Sequence, residues 1–237
     1  MSIKDKYQVI SIPKNQTYEW LKYKHYAKRV PMIKYSFGLY NGNSLVGVCT
    51  FGMPPAPYFS RIFNLTNYCE LNRLCVDEGL PKNSLSYFVS RCLKLLPIPM
   101  IVISYSDPNQ NHSGYIYQAT NWIYTGKGRV DINDKRGNNK YFYNDKEFHS
   151  RHIPEIMRRL SFDISVQKTH NENWIANGGI IQNQKRKHRY FYLLGYKKDI
   201  NINRQIINDN FIIYPYPKGD NKRYDAEYKT LTQTTLF

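Results

Sequence analysis

The stretch YSFGLY-NGN-SLVGVCTFG, residues 35–52, constrains the fold most strongly. Asn41-Gly42 stands between two apolar runs, and this dipeptide suits the positive φ angles of a tight hairpin turn. The runs must therefore pair as antiparallel strands, and such a pair is stable only when another layer covers it. The text that follows supplies the layer. MPPAP breaks the chain at 53–57, CELNRLCV (69–76) reads as a strand, and SLSYFVSRCLKLL (84–96) reads as a helix ended by Pro97. MIVISYS (100–106) is the next strand, followed by a short helix and another strand. A helix between two strands permits a parallel crossover, so the expected class is α/β (α+β): a mixed central sheet flanked by helices.

Upstream, YQVISI (7–12) reads as a strand, and Thr17 reads as the cap of a helix reaching Arg29, with Tyr18, Leu21 and His25 on one face. Downstream, 126–140 is loop-rich, 145–182 has no clear period, and RYFYLLGY (189–196) reads as a strand. The text is polar and irregular from Tyr214. The expected organisation is a core over 1–145, a C-terminal elaboration over 146–219 packing on it, and a flexible tail over 220–237.

Thirty-four Lys and Arg against 18 Asp and Glu give a net charge of +16, which calls for a polyanionic partner, nucleic acid first among them. No apolar run approaches the roughly 20 residues that cross a bilayer, and the first residues lack the apolar segment of a signal peptide. A cytoplasmic protein without a membrane partner is expected. Cys49, Cys69, Cys75 and Cys92 show no CxxC spacing and read as reduced core thiols. The run Lys185-Arg186-Lys187-His188-Arg189 reads as a stripe that tracks phosphates.

The residues that suit chemistry concentrate in IVISYSDPNQNHSGYIYQATNWIYTG (101–126). Asp107 stands at the carboxyl end of a strand, where open α/β sheets place their chemistry. A carboxylate there can accept a proton or hydrogen-bond a base edge, and the same residue suits an Asx-turn before Pro108. Ser104, Tyr105, Asn111 and His112 flank it as candidate substrate contacts. Tyr117, Trp122 and Tyr124 offer faces for an extruded base, or for the core. Arg73, inside an apolar strand, needs an anion: a donor or phosphate group, or Glu70 or Glu78. Asn83, Ser84 and Ser86 open a helix whose free amides suit a donor phosphate. His25 and Tyr26 stand late in the first expected helix. His25, Asp107 and His112 have the ligand types for a metal without a ligand spacing.

The strand–helix–strand–helix order after a hairpin resembles the GCN5-related acyltransferase (GNAT) fold. In that family a glycine-rich turn before the main helix holds the pyrophosphate of acetyl-CoA, and a Tyr-x-x-x-Gly-Phe helix end supplies a Tyr that protonates the departing thiolate. Tyr117-Gln118-Ala119-Thr120-Asn121-Trp122 keeps this spacing with Asn and Trp at the last two places, whereas DEGLPKNS lacks the glycine signature. A narrower resemblance lies in HYAKRVP (25–31), VGVCTFGMPP (46–55), ELNRLCV (70–76), residues 103–126, KHRYFYLLG (187–195) and PYPKG (215–219). These blocks, in this order, resemble the Mom family of phage DNA-modification proteins.

That resemblance implies a GNAT-fold enzyme that converts adenine in phage DNA to an N6-carbamoylmethyl, glycinamide-like derivative, protecting the DNA from host restriction. Asp107, Tyr117, Arg73, His25 and Tyr26 are then the expected catalytic residues, acting on double-stranded or transiently single-stranded DNA in the host bacterial cytoplasm. The donor is open between an acetyl-CoA-like thioester and an aminoacyl-tRNA such as glycyl-tRNA, which would make tRNA a partner. The last five residues, QTTLF, resemble a sliding-clamp-binding peptide, with Gln233, Leu236 and Phe237 as its contacts. Two other functions fit the same text: acyl or aminoacyl transfer to another modified base, tRNA or protein amine, and a non-catalytic DNA-binding accessory role at the clamp.

Overall fold

The computed structural model describes residues 2–55, 57–63, 66–128, 138–148 and 150–219. A helical turn, α1 (Ile3–Lys6), leads into β1 (Tyr7–Ser11); the hairpin forms β2 (Tyr35–Asn41) and β3 (Ser44–Gly52). After α2 (Tyr58–Ile62) come β4 (Tyr68–Val76), α3 (Ser84–Lys94), β5 (Met100–Ser106), α4 (Tyr115–Ala119) and β6 (Ile123–Lys127). Next are β7 (Asn138–Tyr143), β8 (Lys146–Phe148), α5 (Ile153–Arg159), α6 (His170–Ala176) and β9 (Ile180–Gln184). The chain then forms β10 (His188–Leu194) and α7 (Lys197–Asn210).

The hairpin turns at Gly42 with φ +57°, and Asn41 pairs with Ser44, as the Asn-Gly dipeptide requires. Seven strands form one sheet in the order β1-β2-β3-β4-β5-β10-β6. Its described pairings are antiparallel except β4 with β5, where α3 makes the crossover that a parallel pair needs. This is the mixed, helix-flanked sheet expected from the sequence. One face packs Phe37, Phe51, Val102 and Tyr190 with Phe88 and Val89 of α3. The other packs Ile101, Ile103 and Phe191 with Phe59 of α2 and Ile207 of α7. All four cysteines are buried and none is in a disulfide, as expected for core thiols.

Two compact units emerge, Met1–Gly128 with Lys187–Phe237, and Arg129–Arg186. These lines differ from the expected 1–145, 146–219 and 220–237, because β10 returns to the main sheet between β5 and β6. The unit 129–186 has its own three-stranded sheet, β8-β7-β9. Its core gathers Tyr141, Ile153, Ile156 and Met157 around Trp174.

The helix expected over 17–29 takes another form. A 3₁₀ turn at Lys14–Thr17 leads to a π-type turn at Trp20–Lys24, where the His25 amide reaches the Trp20 carbonyl at 2.8 Å. The chain leaves the helix there, so His25 and Tyr26 stand in a loop. The helix α7 and strand β9 have no counterpart in the sequence reading. Residues 211–219 lack regular structure. Gln233, Leu236 and Phe237 lie outside the described residues. No helix among the described residues is long and apolar enough to cross a membrane.

Candidate active site

The strands β4 and β5 pair from Tyr68–Ile101 to Leu71–Ser104 and no further. Past that point the sheet opens. Opposite Thr50 and Phe51 of β3, β4 carries one extra residue, Asn72: Phe51 pairs with Leu71, and Thr50 with Arg73. The bulge is pinned, since Thr50 Oγ1 donates to Asn72 Oδ1 at 2.6 Å and Asn72 Nδ2 donates to the Met32 carbonyl at 3.0 Å. In an unbroken strand, residues three apart face opposite sides; the extra residue turns Arg73 to the face that carries Glu70.

A cavity of about 190 Å³ fills the opening, with His25, Tyr26, Arg73, Ser106, His112 and Tyr117 in its wall. The sequence set these residues apart, and the fold brings them together. Asp107 stands beside them, 8% exposed. Its Oδ1 accepts from the Asn109 amide at 3.0 Å and from Asn109 Nδ2 at 2.8 Å, and Lys187 Nζ lies 3.1 Å from Oδ2. Burial alone would raise the Asp107 pKa, but the Lys187 charge and the Asn109 hydrogen bonds outweigh it and hold the carboxyl below its ordinary value. The Asx-turn and the place at the cleft are thus the same arrangement.

Glu70 behaves in the opposite way. Burial raises its pKa to about 7, even with Arg73, Lys187 and Arg29 pulling it down. Its Oε2 is buried without a hydrogen-bond partner. Arg73 Nη1 donates to the Asn72 carbonyl at 2.6 Å, while its Nε is buried without an acceptor. From the sequence alone, Glu70 is expected only as a counter-ion for Arg73. An acid inside the apolar run CELNRLCV was the available signal.

His25 is 5% exposed, and its Nδ1 accepts from the Ala27 amide at 3.1 Å, which leaves the ring proton on Nε2. Burial, followed by the charges of Arg73 and Lys187, lowers its pKa to about 3, so the imidazole is neutral at physiological pH. Its ring stacks on Tyr26 at 4.4 Å, and Tyr26 stands edge-on to His112 at 6.0 Å. The His112 amide donates to the Asp107 carbonyl at 3.1 Å. Among the described residues no three His, Cys, Asp or Glu side chains gather as a metal site would require, so His25, Asp107 and His112 do not form a ligand set.

Tyr117 lies at the floor of the opening. Ser104 Oγ donates to the Leu71 carbonyl at 2.9 Å and shares a 2.7 Å hydrogen bond with the Tyr117 hydroxyl. Burial raises the Tyr117 pKa, which keeps the phenol protonated. The helix carrying it starts where Gly114, at φ +85°, passes under Tyr190; a Cβ there would come within 2.5 Å of the Tyr190 hydroxyl. Asn121 adopts φ +61°, the left-handed conformation that Asn tolerates better than most residues in place of Gly.

Other expected contacts are placed elsewhere. Trp122 is 1% exposed, packed between Tyr117 and Tyr192 at 5.0 and 5.5 Å, with no open face for a base. Tyr124 is also core, with its hydroxyl 2.7 Å from His188 Nδ1. Tyr105 reaches the cavity wall and packs with the Phe59 and Ile103 cluster. Asn111 is exposed at φ +55°, ending the turn after Asp107.

The basic run does not form one stripe. Strand alternation sends successive side chains of β10 to opposite faces. Arg189 is 3% exposed; its Nε donates to Thr125 Oγ1, Nη2 to the Thr125 carbonyl and Nη1 to the Tyr58 hydroxyl, and it lies 4.4 Å over the Phe211 ring. Lys187 is paired with Asp107, and Lys185 and Arg186 belong to the 129–186 unit. At the start of α3, Asn83 has φ +71°, Ser84 is buried, and Ser86 Oγ donates to the Asn83 carbonyl. Of this turn only Leu85 reaches the cavity wall.

The chain matches the profile of the Mom protein family over residues 6–218. The methylcarbamoylase mom of Escherichia phage Mu is 33% identical over 112 residues, which make up 44% of this chain and 46% of that protein. The alignment therefore spans just under half the length of that relative. Among solved structures, an N-acetyltransferase from Staphylococcus aureus Mu50 is 12% identical, covers 79% of this chain and 98% of its own, and gives a TM-score of 0.40. A GNAT family acetyltransferase from Elizabethkingia anophelis with acetyl-CoA bound is 10% identical over 80% of this chain and 99% of its own, with a TM-score of 0.37.

Proposed function

This chain belongs to the Mom protein family, and from that premise we propose that it is a transferase that modifies DNA by substituting the exocyclic amine of adenine. The product in this reading is the N6-carbamoylmethyl derivative, in keeping with the methylcarbamoylase name of its phage Mu relative, and the modification shields phage DNA from restriction. The observation that carries the reading is the cavity where β4 and β5 part, with Arg73, His25, Tyr26 and Tyr117 in its wall and Asp107 beside it.

Each residue has a role that follows from its state. Asp107, ionised beside Lys187, is an acceptor for the base edge. Tyr117 keeps its proton and can deliver it to a departing group. Neutral His25 is a donor through Nε2, and Arg73 faces negative charge on the donor or on DNA. A target base must leave the duplex stack or be met in a single strand to reach such a site. The net charge of +16 favours the DNA backbone. The donor must supply the two carbons and the nitrogen of the carbamoylmethyl group. A glycyl ester such as glycyl-tRNA contains them, its acyl transfer giving the isomeric N6-glycyl adduct that must then rearrange. Acetyl-CoA supplies no nitrogen and would leave N6-acetyladenine.

Co-expression with plasmid DNA, digestion to nucleosides and mass spectrometry test the reading. A new adenine species carrying the carbamoylmethyl group is expected, reduced about 100-fold or more in Asp107→Ala and Tyr117→Phe. Purified protein supplied with DNA and either acetyl-CoA or glycyl-tRNA then identifies the donor class. A soluble, DNA-binding wild type that leaves every adenine unchanged overturns the reading.

A further inference from the structure

In the unit 129–186, the exposed loop 163–169 is held as firmly as a strand is by its neighbour. Its holders are Asn173 of α6 and Asn177 at the helix C-terminus, one turn apart. Asn177 Oδ1 accepts from the Asp163 amide at 2.9 Å, and its Nδ2 donates to the Asp163 carbonyl at 2.8 Å. Asn173 holds Ser165 in the same way, both contacts at 2.9 Å. Its Nδ2 also reaches the Lys168 and Thr169 carbonyls at 3.2 Å. Both ends of the loop are rooted. Phe162 packs on Trp174 at 5.4 Å, and Glu172 Oε2 accepts from the Thr169 amide at 2.7 Å.

At the tip, the Lys168 amide donates to the Ser165 carbonyl at 3.2 Å and closes a turn over Val166 and Gln167. Gly, Asn, Asp, Pro and Ser dominate such turns. Here the tip is a β-branched apolar residue, 98% exposed, and Ile164 two residues earlier is exposed as well. A lone apolar side chain on a surface needs no explanation. One displayed on a loop that two asparagine side chains pin in place does. Exposed cations stand at both ends of the loop: Arg158 and Arg159 in the last turn of α5, and Lys168 beside the tip.

We propose that this loop is a DNA wedge: Val166 enters the minor groove and presses into a base step, while Arg158, Arg159 and Lys168 meet the phosphates beside it. The inference rests on the DNA-modifying reading and concerns how a duplex is gripped and bent. Apolar side chains driven into a base step from the minor groove partly unstack it and kink the duplex. Such an insert works best when rigid, because a loose loop loses conformational entropy on binding. The flanking cations match a polyanion, whereas an apolar protein groove would leave those charges unmatched.

Purified full-length protein is titrated with a mixed-sequence duplex labelled at both ends, and with one of its strands alone. Anisotropy reads affinity, and energy transfer between the two labels reads bending. Val166→Ser is expected to keep the wild-type melting temperature, since the side chain it alters is exposed. It should bind the duplex about 10-fold less tightly and lose the energy-transfer change. Its affinity for the single strand should stay within about twofold of wild type. Val166→Ile, which keeps an apolar tip on the same turn, should match wild type in all three. Arg158→Ala, Arg159→Ala and Lys168→Ala combined should lower the slope of log affinity against log salt by about 2–3, a slope that Val166→Ser leaves unchanged. Wild-type duplex affinity and bending in Val166→Ser overturn the proposal, as does an equal loss on duplex and single strand, or an unchanged salt slope in the triple variant. A wild type that bends the duplex yet modifies no adenine upholds the wedge and overturns the adenine reading, so the two fail separately.

Discussion

The two compact units handle charge in opposite ways. In the unit 129–186, no charged side chain is buried among the described residues; its buried polar residue is the neutral Asn173. Both ends of that amide are bonded: Nδ2 donates to the Ser165, Lys168 and Thr169 carbonyls, and Oδ1 accepts from the Ser165 amide. In the unit formed by 1–128 and 187–237, Lys24, Asp107 and Arg189 are buried. Arg189 is fully engaged in structure, and Lys24 is paired with Asp77 at 2.6 Å. Among the described residues, a buried carboxylate oxygen and a buried guanidinium nitrogen stand without partners on β4, at Glu70 Oε2 and Arg73 Nε. Neutral buried atoms without partners occur in both units, Asn139 Oδ1 in the small one and Trp122 Nε1 and Asn203 Nδ2 in the large one, so the contrast between the units lies in charge.

Substitutions can break this contrast. The largest effect is expected from Trp174→Ala, which empties the centre of the small unit and should cost about 3–5 kcal/mol in urea unfolding. Hydrogen exchange should then quicken in 138–184 while the amides of β4 and β5 keep their protection. Uniform loss of protection would erase the distinction between the units. Asn173→Ala strands the groups it bonds, for a loss of about 1–3 kcal/mol on the same assay.

At the opening the stability effects should be small. Lys187→Ala is expected to cost less than about 1 kcal/mol, because the lysine side chain is 39% exposed and its pairing is screened. A larger loss would make the Asp107–Lys187 pair a structural element. Glu70→Gln should have the opposite sign. The folded protein binds the Glu70 proton more tightly than the unfolded chain does, at about 7 against an ordinary 4.5. The carboxyl therefore favours folding least once pH has risen through 7. The variant should melt higher than wild type at pH 8, with the gap closing as pH falls toward 4.5. A lower melting temperature at pH 8 would show that Glu70 is a satisfied structural charge.

The parts of the fold that were legible are those written in local pattern. The Asn41-Gly42 hairpin, α3 ended at Pro97 and β5 ended at Asp107-Pro108 each follow from neighbours in sequence. The helix expected through Arg29 fails because a contact of i to i+5, with His25 capping Ala27, ends it early. The segment KKDININRQIINDN hides α7, since only Asn203 and Ile207 of it are buried and its polar text gives little periodicity. The position of β10 is set by pairing with residues more than 80 positions away, which no local pattern records.

The site was partly legible for the same reason. Asp107, Arg73 and Tyr117 announced themselves as polar groups at the ends or in the interior of apolar runs. Glu70 stands in the same apolar run as Arg73, but that the two share a face could not be read, because the bulge that brings this about depends on Thr50 and Met32. The aromatic cluster misled in the other direction. Trp122 and Tyr124 have the chemistry of a base platform, but Tyr190 and Tyr192 of β10 cover them. Without knowing that β10 lies between β5 and β6, their burial could not be read.

The return of β10 also sets a timetable for folding. During synthesis β5 is made long before its neighbour, and the whole 129–186 unit must emerge before residues 188–194 can join it. Until then the apolar run MIVISYS has an open edge able to pair with other chains. Closing the loop late adds little in equilibrium terms, since that entropy grows only slowly with length, but such long-range pairing slows folding. Newly made chains thus pass through a window in which aggregation competes with completion of the sheet, and the Asp107–Lys187 contact, whose lysine adjoins β10, forms only as that window closes.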